Sequence, residues 1–263
     1  MAQVKSSFSR YILPITTVGM YMFLYIPIIV LVIFSFNSKE YTYQWSSFSL
    51  RWYYELFDSI EIWDALKNSL IVAMSSVILS ITMGVLLVFY SAHSYFKKAF
   101  LLFYGNLVVP EIVLAVGMLS FFTFFSMPLG ITTLIAGHTL IGLGYVVPIV
   151  YARFIELDKR YTEASFDLGA SNGQTLLRVI LPLLSPALFA SGLLVFIISL
   201  DDFILSFFCA GATMQTLPMY IFAMIRSGAT PVVSALSTLL LVISSILVLI
   251  FSSLQIKKTD MLQ

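Results

Sequence analysis

Glu111, Asp201 and Asp202 are carboxylic acids embedded in otherwise apolar stretches of this 263-residue chain. An ionisable group at the middle of a membrane span costs about 2.5–3.5 kcal/mol even on the mildest insertion scale, so such residues normally face water, a partner or a substrate. On a continuous helix Asp202 shares a face with Ser199 and Ser206, and this polar stripe marks it as the pathway side. Asp201 then points about 100° away, toward a different neighbour. No lysine or arginine stands in the interior of these stretches to pair with the acids. Their charge suits a cationic substrate in transit, or else they are protonated or bonded to a second subunit, and the residues alone leave both readings open. Glu111 follows Pro110, where a helix is interrupted, and can instead satisfy backbone donors freed there.

Other reactive side chains do not converge. His138, between Gly137 and Thr139, suits a proton relay or a packed, hydrogen-bonded position, and the small residues Ala136, Gly137, Gly142 and Gly144 around it favour packing. There is no His-Glu-x-x-His, no Gly-x-Ser-x-Gly and no set of paired metal ligands. Cys209 is the sole cysteine, which excludes an intrachain disulfide. The chain is therefore expected to hold no catalytic residues and no metal.

Between two apolar stretches, residues 163–182 read Glu-Ala-Ser-Phe-Asp-Leu-Gly and, nine residues after the glycine, Val-Ile-Leu-Pro. Gly169 permits a turn that a side chain would obstruct, and Pro182 and Pro186 can end one helix and begin the next. The expectation is a helix over 161–168, a turn, and a second short helix over 171–179. Ser171 is the N-cap of the second, with Gln174 completing a capping box. A charged helical insert of this kind is a docking surface for something outside the membrane; the alternative is an amphipathic loop lying on the bilayer.

The elements that carry these residues follow from composition. With 60% hydrophobic and 10% charged residues, the chain has too little polar surface to cover a water-soluble globule. Six segments reach the roughly 20 apolar residues that a crossing helix needs: 11–36, 66–90, 100–125, 131–152, 186–209 and 232–254. They form one all-α, polytopic transmembrane domain over 1–263, with the polar loop 153–185 inside it. Lys5, Arg10, Lys97, Lys98, Arg153, Lys159, Arg160, Arg178, Lys257 and Lys258 fall on one side, against Lys39, Arg51, Lys67 and Arg226 on the other. That ten-to-four asymmetry puts the first set, and both termini, in the cytoplasm. Tyr41, Tyr43, Trp45, Trp52, Tyr53, Tyr54 and Trp63 in the outer connection read as headgroup anchors, with an external partner as the lesser reading. Residues 217–225 are apolar but too short to span, so a short helix at the outer face is expected. The balance of 14 basic and 13 acidic residues carries no nucleic-acid signature, and lipid is the expected surroundings.

The polar segment resembles the cytoplasmic coupling loop of ABC importer permeases, whose pattern is Glu-Ala-Ala, three residues, Gly, nine residues, Ile-x-Leu-Pro. Glu163, Ala164, Gly169, Leu181 and Pro182 match at that spacing, while Ser165 replaces the second Ala and Val179 the Ile. Leu24-Tyr25-Ile26-Pro27-Ile28-Ile29, Ser35-Phe36-Asn37-Ser38, Ser199-Leu200-Asp201-Asp202 and the stretch from Leu217-Pro218 through Pro231 to Ala235-Leu236 are similar to the permeases of spermidine/putrescine importers. Ser234 departs from the Asn of that pattern. The resemblance implies a type I ABC importer permease fold in a bacterial inner membrane. Its implied partners are a second, dissimilar permease, a dimer of ATP-binding subunits and a periplasmic polyamine-binding protein. Polyamine would then cross by ATP-driven alternating access. Within the loop it implies that 170–177 enters a groove on the ATPase, making Glu163, Ala164, Gly169, Ala170, Ser171, Leu181 and Pro182 the coupling residues. ATP and Mg would be held by that partner, with no cofactor in this chain, which lacks a Gly-x-x-x-x-Gly-Lys-Ser/Thr loop. An ABC permease for another small solute, or an ion-coupled secondary transporter, is the alternative; the latter explains buried acids but needs no coupling loop.

Overall fold

The protein is described by a computed structural model over residues 7–39, 44–91, 100–212, 214–228 and 231–260. Among these residues the helices in chain order are α1 (Ser7–Phe34), α2 (Arg51–Asp58), α3 (Ile60–Ser91), α4 (Phe100–Asn106), α5 (Glu111–Phe124) and α6 (Ile131–Glu156). They continue as α7 (Arg160–Asp167), α8 (Asn172–Thr175), a π turn (Leu176–Ile180), α9 (Leu181–Asp201), α10 (Ile204–Cys209), α11 (Leu217–Ser227) and α12 (Pro231–Asp260). The one extended pairing among the described residues is an isolated bridge between Asn37 and Phe48. Lys5, Tyr41, Tyr43, Lys97 and Lys98 lie outside the described residues.

Two compact units make up the chain, residues 1–60 with 221–263, and residues 61–220. In the first, α12 packs against both α1 and α2. The span Pro14–Phe34 of α1 is apolar along its length and none of it is buried. Beyond its end, the buried Asn37 organises the connection to α2. Its Nδ2 donates to the Gln44 carbonyl at 2.9 Å, its Oδ1 accepts the Ser46 N–H at 3.0 Å, and its carbonyl accepts the indole N–H of Trp52. Trp52 is thus a packed residue and not a headgroup anchor, because amphipathic α2 turns Trp52 and Leu56 inward. Trp45 and Tyr54 remain exposed.

The second unit is built around α6, which lies against α4, α5, α9 and α10. Close approach depends on small residues. A Cβ on Gly144 would sit 2.5 Å from Asn106 Nδ2, and one on Gly137 2.9 Å from Leu205. This is the helix packing that the small residues around His138 lead one to expect. Val146, Val147 and Val150 of α6 join Leu176, Ile180, Leu184 and Val195 in one core; Leu134 joins Val72, Ala115, Phe122 and Leu205 in another.

Among the described residues, four helical stretches are long and apolar enough to cross a membrane: Pro14–Phe34, Ile60–Tyr90, Ile131–Glu156 and Asn172–Asp201. Glu111–Phe124 and Pro231–Ile246 are shorter apolar helices. The continuous helix expected over 100–125 is interrupted at residues 107–110, and the one expected over 186–209 at Asp202 and Phe203. Pro110 has no N–H and disfavours helix in the residue before it, so the first break falls there. The N–H groups of Leu107, Val108 and Val109 turn back to the carbonyls of Tyr104 and Gly105, which keeps the irregular backbone satisfied.

Candidate functional site

The polar connection after α6 is closed at every end by local hydrogen bonds. Asp158 Oδ1 accepts the Arg160 N–H at 3.0 Å where α7 begins. At its other end the Ala170 N–H reaches the Ser165 carbonyl at 3.0 Å and the Gly169 N–H the Phe166 carbonyl at 2.8 Å. This is a Schellman closure, and it puts Gly169 at φ +81°. A Cβ there would meet nothing within 4 Å, so backbone conformation and not space makes glycine the fit. Ser171 and Gln174 form the expected capping box: the Gln174 N–H donates to Ser171 Oγ at 3.3 Å, and the Ser171 N–H to Gln174 Oε1 at 2.9 Å.

Beyond the capping box the chain departs from the expected short helix. α8 does not stop at Pro182 but passes through the π turn into α9, giving one helical rod from Asn172 to Asp201. Pro182 cannot donate to the carbonyl four residues back and its ring would clash with it. The wider turn relieves this, with the Leu181 N–H bonding the Leu176 carbonyl five residues back. Ser165 and Thr175 share a buried hydrogen bond of 2.8 Å that ties α7 to α8. Thr175 was not legible as a site residue; the one hint was that Ser165 stands where the loop pattern has Ala.

The outer face of this element is open. Tyr161, Phe166, Leu168 and Leu177 are exposed, with Leu168 at 89%. Glu163, Ala164, Gly169, Ser171 and Pro182 are exposed as well, while Ala170 and Leu181 are half-buried. Beside them a groove of about 550 Å³ is lined by Tyr151, Phe154, Asp158, Thr162, Glu163 and Phe166. Apolar knobs next to a groove with charged walls suit a partner protein.

The acids gather at the two helix breaks. Glu111 is the first residue of α5 and is exposed, and its carboxyl is near enough to interact with that of Asp202. Asp202 is buried. Its Oδ1 accepts the Leu205 N–H at 3.2 Å and its Oδ2 the Ser206 N–H at 2.8 Å. His138 Nε2 stands 3.5 Å from Asp202 Oδ2 and 3.3 Å from Ser206 Oγ. Asp201, the last residue of α9, is exposed. The stripe of Ser199, Asp202 and Ser206 expected on one helix is therefore divided by the break. Ser199 Oγ is buried without a partner among the described residues, beside a narrow gap that His138 and Tyr145 also line. No cluster of His, Cys, Asp or Glu among the described residues is arranged to hold a metal.

Similarity to known proteins extends well beyond these motifs. The chain is 37% identical over 233 residues to the spermidine/putrescine transport system permease protein PotC of Haemophilus influenzae, covering 88% of this chain and 91% of that protein. It is 36% identical over 234 residues to PotC of Escherichia coli K12, covering 88% and 89%. The putrescine transport system permease protein PotI of the same strain is 32% identical over 231 residues, covering 84% and 82%. A chain from a bacterial ABC transporter that imports the acidic polysaccharide alginate superposes with a TM-score of 0.74 at 14% identity, over 96% of this chain and 99% of that one. No family model matches.

Proposed function

This chain belongs to the family of spermidine/putrescine transport system permeases, and from that premise we propose that it forms half of a polyamine pathway driven by an external ATPase. It is a transmembrane permease subunit of an ABC importer that carries spermidine or putrescine across the membrane. The observation that supports the coupling mechanism best is the rod from Asn172 to Asp201. Its first turn is the capped, exposed docking element and its last residue is the acid at the second break. At about 1.5 Å per residue such a rod carries a displacement at one end to the other without an intervening hinge loop.

In this reading Glu163, Ala164, Gly169, Ala170, Ser171, Leu181 and Pro182 present the docking element to a dimeric ATP-binding subunit, which holds ATP and Mg. A second permease completes the pathway, and a periplasmic binding protein delivers the polyamine. Glu111, Asp201 and Asp202 supply negative charge where the cation passes. The basic asymmetry of the sequence supports placement in a bacterial inner membrane with both termini and the docking element in the cytoplasm. The test is reconstitution of the chain in vesicles with its permease partner, ATPase and binding protein. ATP-dependent polyamine uptake is expected, and none when the ATPase is left out. Uptake that persists without the ATPase would favour an ion-coupled carrier instead.

A further inference from the structure

We infer that a pocket beside the docking turn takes a carboxylate side chain of the ATP-binding subunit, with Arg178 as the residue that binds it. The inference rests on the reading of α7 and α8 as the docking element, and it names the chemistry which that element meets. A space of about 350 Å³ is lined by Leu168, Gly169 and Ala170 at the turn and by Gln174 and Arg178 of the rod. The π turn directs Arg178 there. Leu176 and Ile180, two residues to either side of it, are buried in the core with Val146 and Val150 of α6. Two residues turn a helix by about 200°, so Arg178 stands on the face away from that core, and it is exposed. Its charge is unmatched within the chain. Arg153 is paired with Glu156 at 3.0 Å, whereas no carboxylate among the described residues pairs with Arg178. Gln174 adds a donor, because its Oε1 accepts the Ser171 N–H and its amide nitrogen keeps two N–H groups to give. Carbonyls at the C-terminal end of a helix disfavour an anion, but those of Ala164, Ser165 and Phe166 are engaged by the N–H groups of Leu168, Ala170 and Gly169. What the pocket offers is a guanidinium and an amide, the groups that recognise a carboxylate. Leu168, 89% exposed, forms one wall. A partner surface closing over it excludes water, which makes the ion pair stronger than one left open to solvent.

The test reconstitutes the chain with its permease partner in nanodiscs and measures the affinity of the pair for the ATP-binding subunit. Arg178→Gln should weaken binding about tenfold and Arg178→Glu about a hundredfold, with Arg178→Lys between wild type and Arg178→Gln. Wild-type affinity should fall with added salt, and that of Arg178→Gln less steeply. Thermal unfolding of the permease pair alone should not move, because Arg178 is exposed; a merely structural role would move it. In Arg178→Lys, a carbodiimide, which condenses an amine with a carboxylate in contact with it, should join position 178 to one acidic residue of the ATP-binding subunit, located by mass spectrometry. Changing that acid to arginine should restore binding to Arg178→Glu. Affinity in Arg178→Glu within about twofold of wild type would overturn the inference, as would a cross-link to the other permease alone or a charge reversal that restores nothing. If that unchanged affinity comes with lost stabilisation by phosphatidylglycerol, the inference is likewise overturned and Arg178 is a lipid contact. If the wild-type pair binds no ATP-binding subunit, the docking reading itself fails and the pocket's occupant with it. Binding that Leu177→Asp abolishes but Arg178→Glu leaves intact keeps the docking reading and removes only the carboxylate.

Discussion

Ser165 and Thr175 lie ten residues apart, yet their 2.8 Å hydrogen bond is buried where α7 meets α8. The pair explains a departure from the loop pattern, since an alanine at 165 would leave the Thr175 hydroxyl to find another acceptor. Ser165→Ala and Thr175→Val should each destabilise the complex by about 1 kcal/mol, and the double variant by less than their sum. Thermal unfolding of the purified complex reads this coupling, and strict additivity would mean that the bond does not tie the helices. Gly169 is a different case, because only its φ of +81° demands glycine. A β-branched side chain there costs roughly 1–2 kcal/mol or more, whereas Asn adopts the same region readily. Gly169→Val should therefore let ATP hydrolysis continue while uptake falls, and Gly169→Asn should stay close to wild type. Normal uptake in Gly169→Val would remove the turn from the mechanism.

At the scale of elements, α4 meets α6 through apolar packing of Phe103, a polar contact from Asn106 and the close approach at Gly144. Asn106 Nδ2 donates to the Leu140 carbonyl at 2.9 Å, and the same side chain fills the space over Gly144. Gly144→Leu should displace Asn106, cost about 1–3 kcal/mol and lower the yield of assembled complex, with Gly144→Ala intermediate. Unaltered yield in Gly144→Leu would show that the contact is dispensable. This tie also shows what sequence could and could not reveal. The apolar stretches of α1, α3 and α6 and the capping box at Ser171 were legible, because hydropathy and a local pattern carry them. The break at 107–110 was signalled by Pro110 but lies in a run of leucine and valine that stays apolar throughout. The break at Asp202 was hidden because an aspartate in an apolar run reads equally as a stripe residue or as a cap. Only the backbone distinguishes them. The π turn was not legible at all, since Leu-Leu-Arg-Val-Ile satisfies an α-helix until Pro182 is reached.

For the whole molecule, function depends on which side of the membrane each connection faces, because a docking element outside the cell could not meet an ATPase. The proposed orientation, which follows the ten-to-four distribution of lysine and arginine, predicts residues 97, 172 and 257 inside and residue 47 outside. Single cysteines answer the question once the native thiol is removed. Cys209 is buried, and its bond to α6 runs through its backbone carbonyl, so Cys209→Ser leaves that contact in place. In this background Lys97→Cys, Asn172→Cys and Lys257→Cys should resist an impermeant thiol reagent in intact cells and react once the membrane is opened. Ser47→Cys should react from outside. Asn172 is the informative position: it is exposed at the first turn of the rod, so shielding there cannot come from burial within this chain. Labelling of Asn172→Cys in intact cells would invert the orientation and take the docking element, and with it ATP-driven coupling through this loop, out of the mechanism. Protection that persists in opened membranes and is relieved only by removing the ATPase would instead locate the partner on this face.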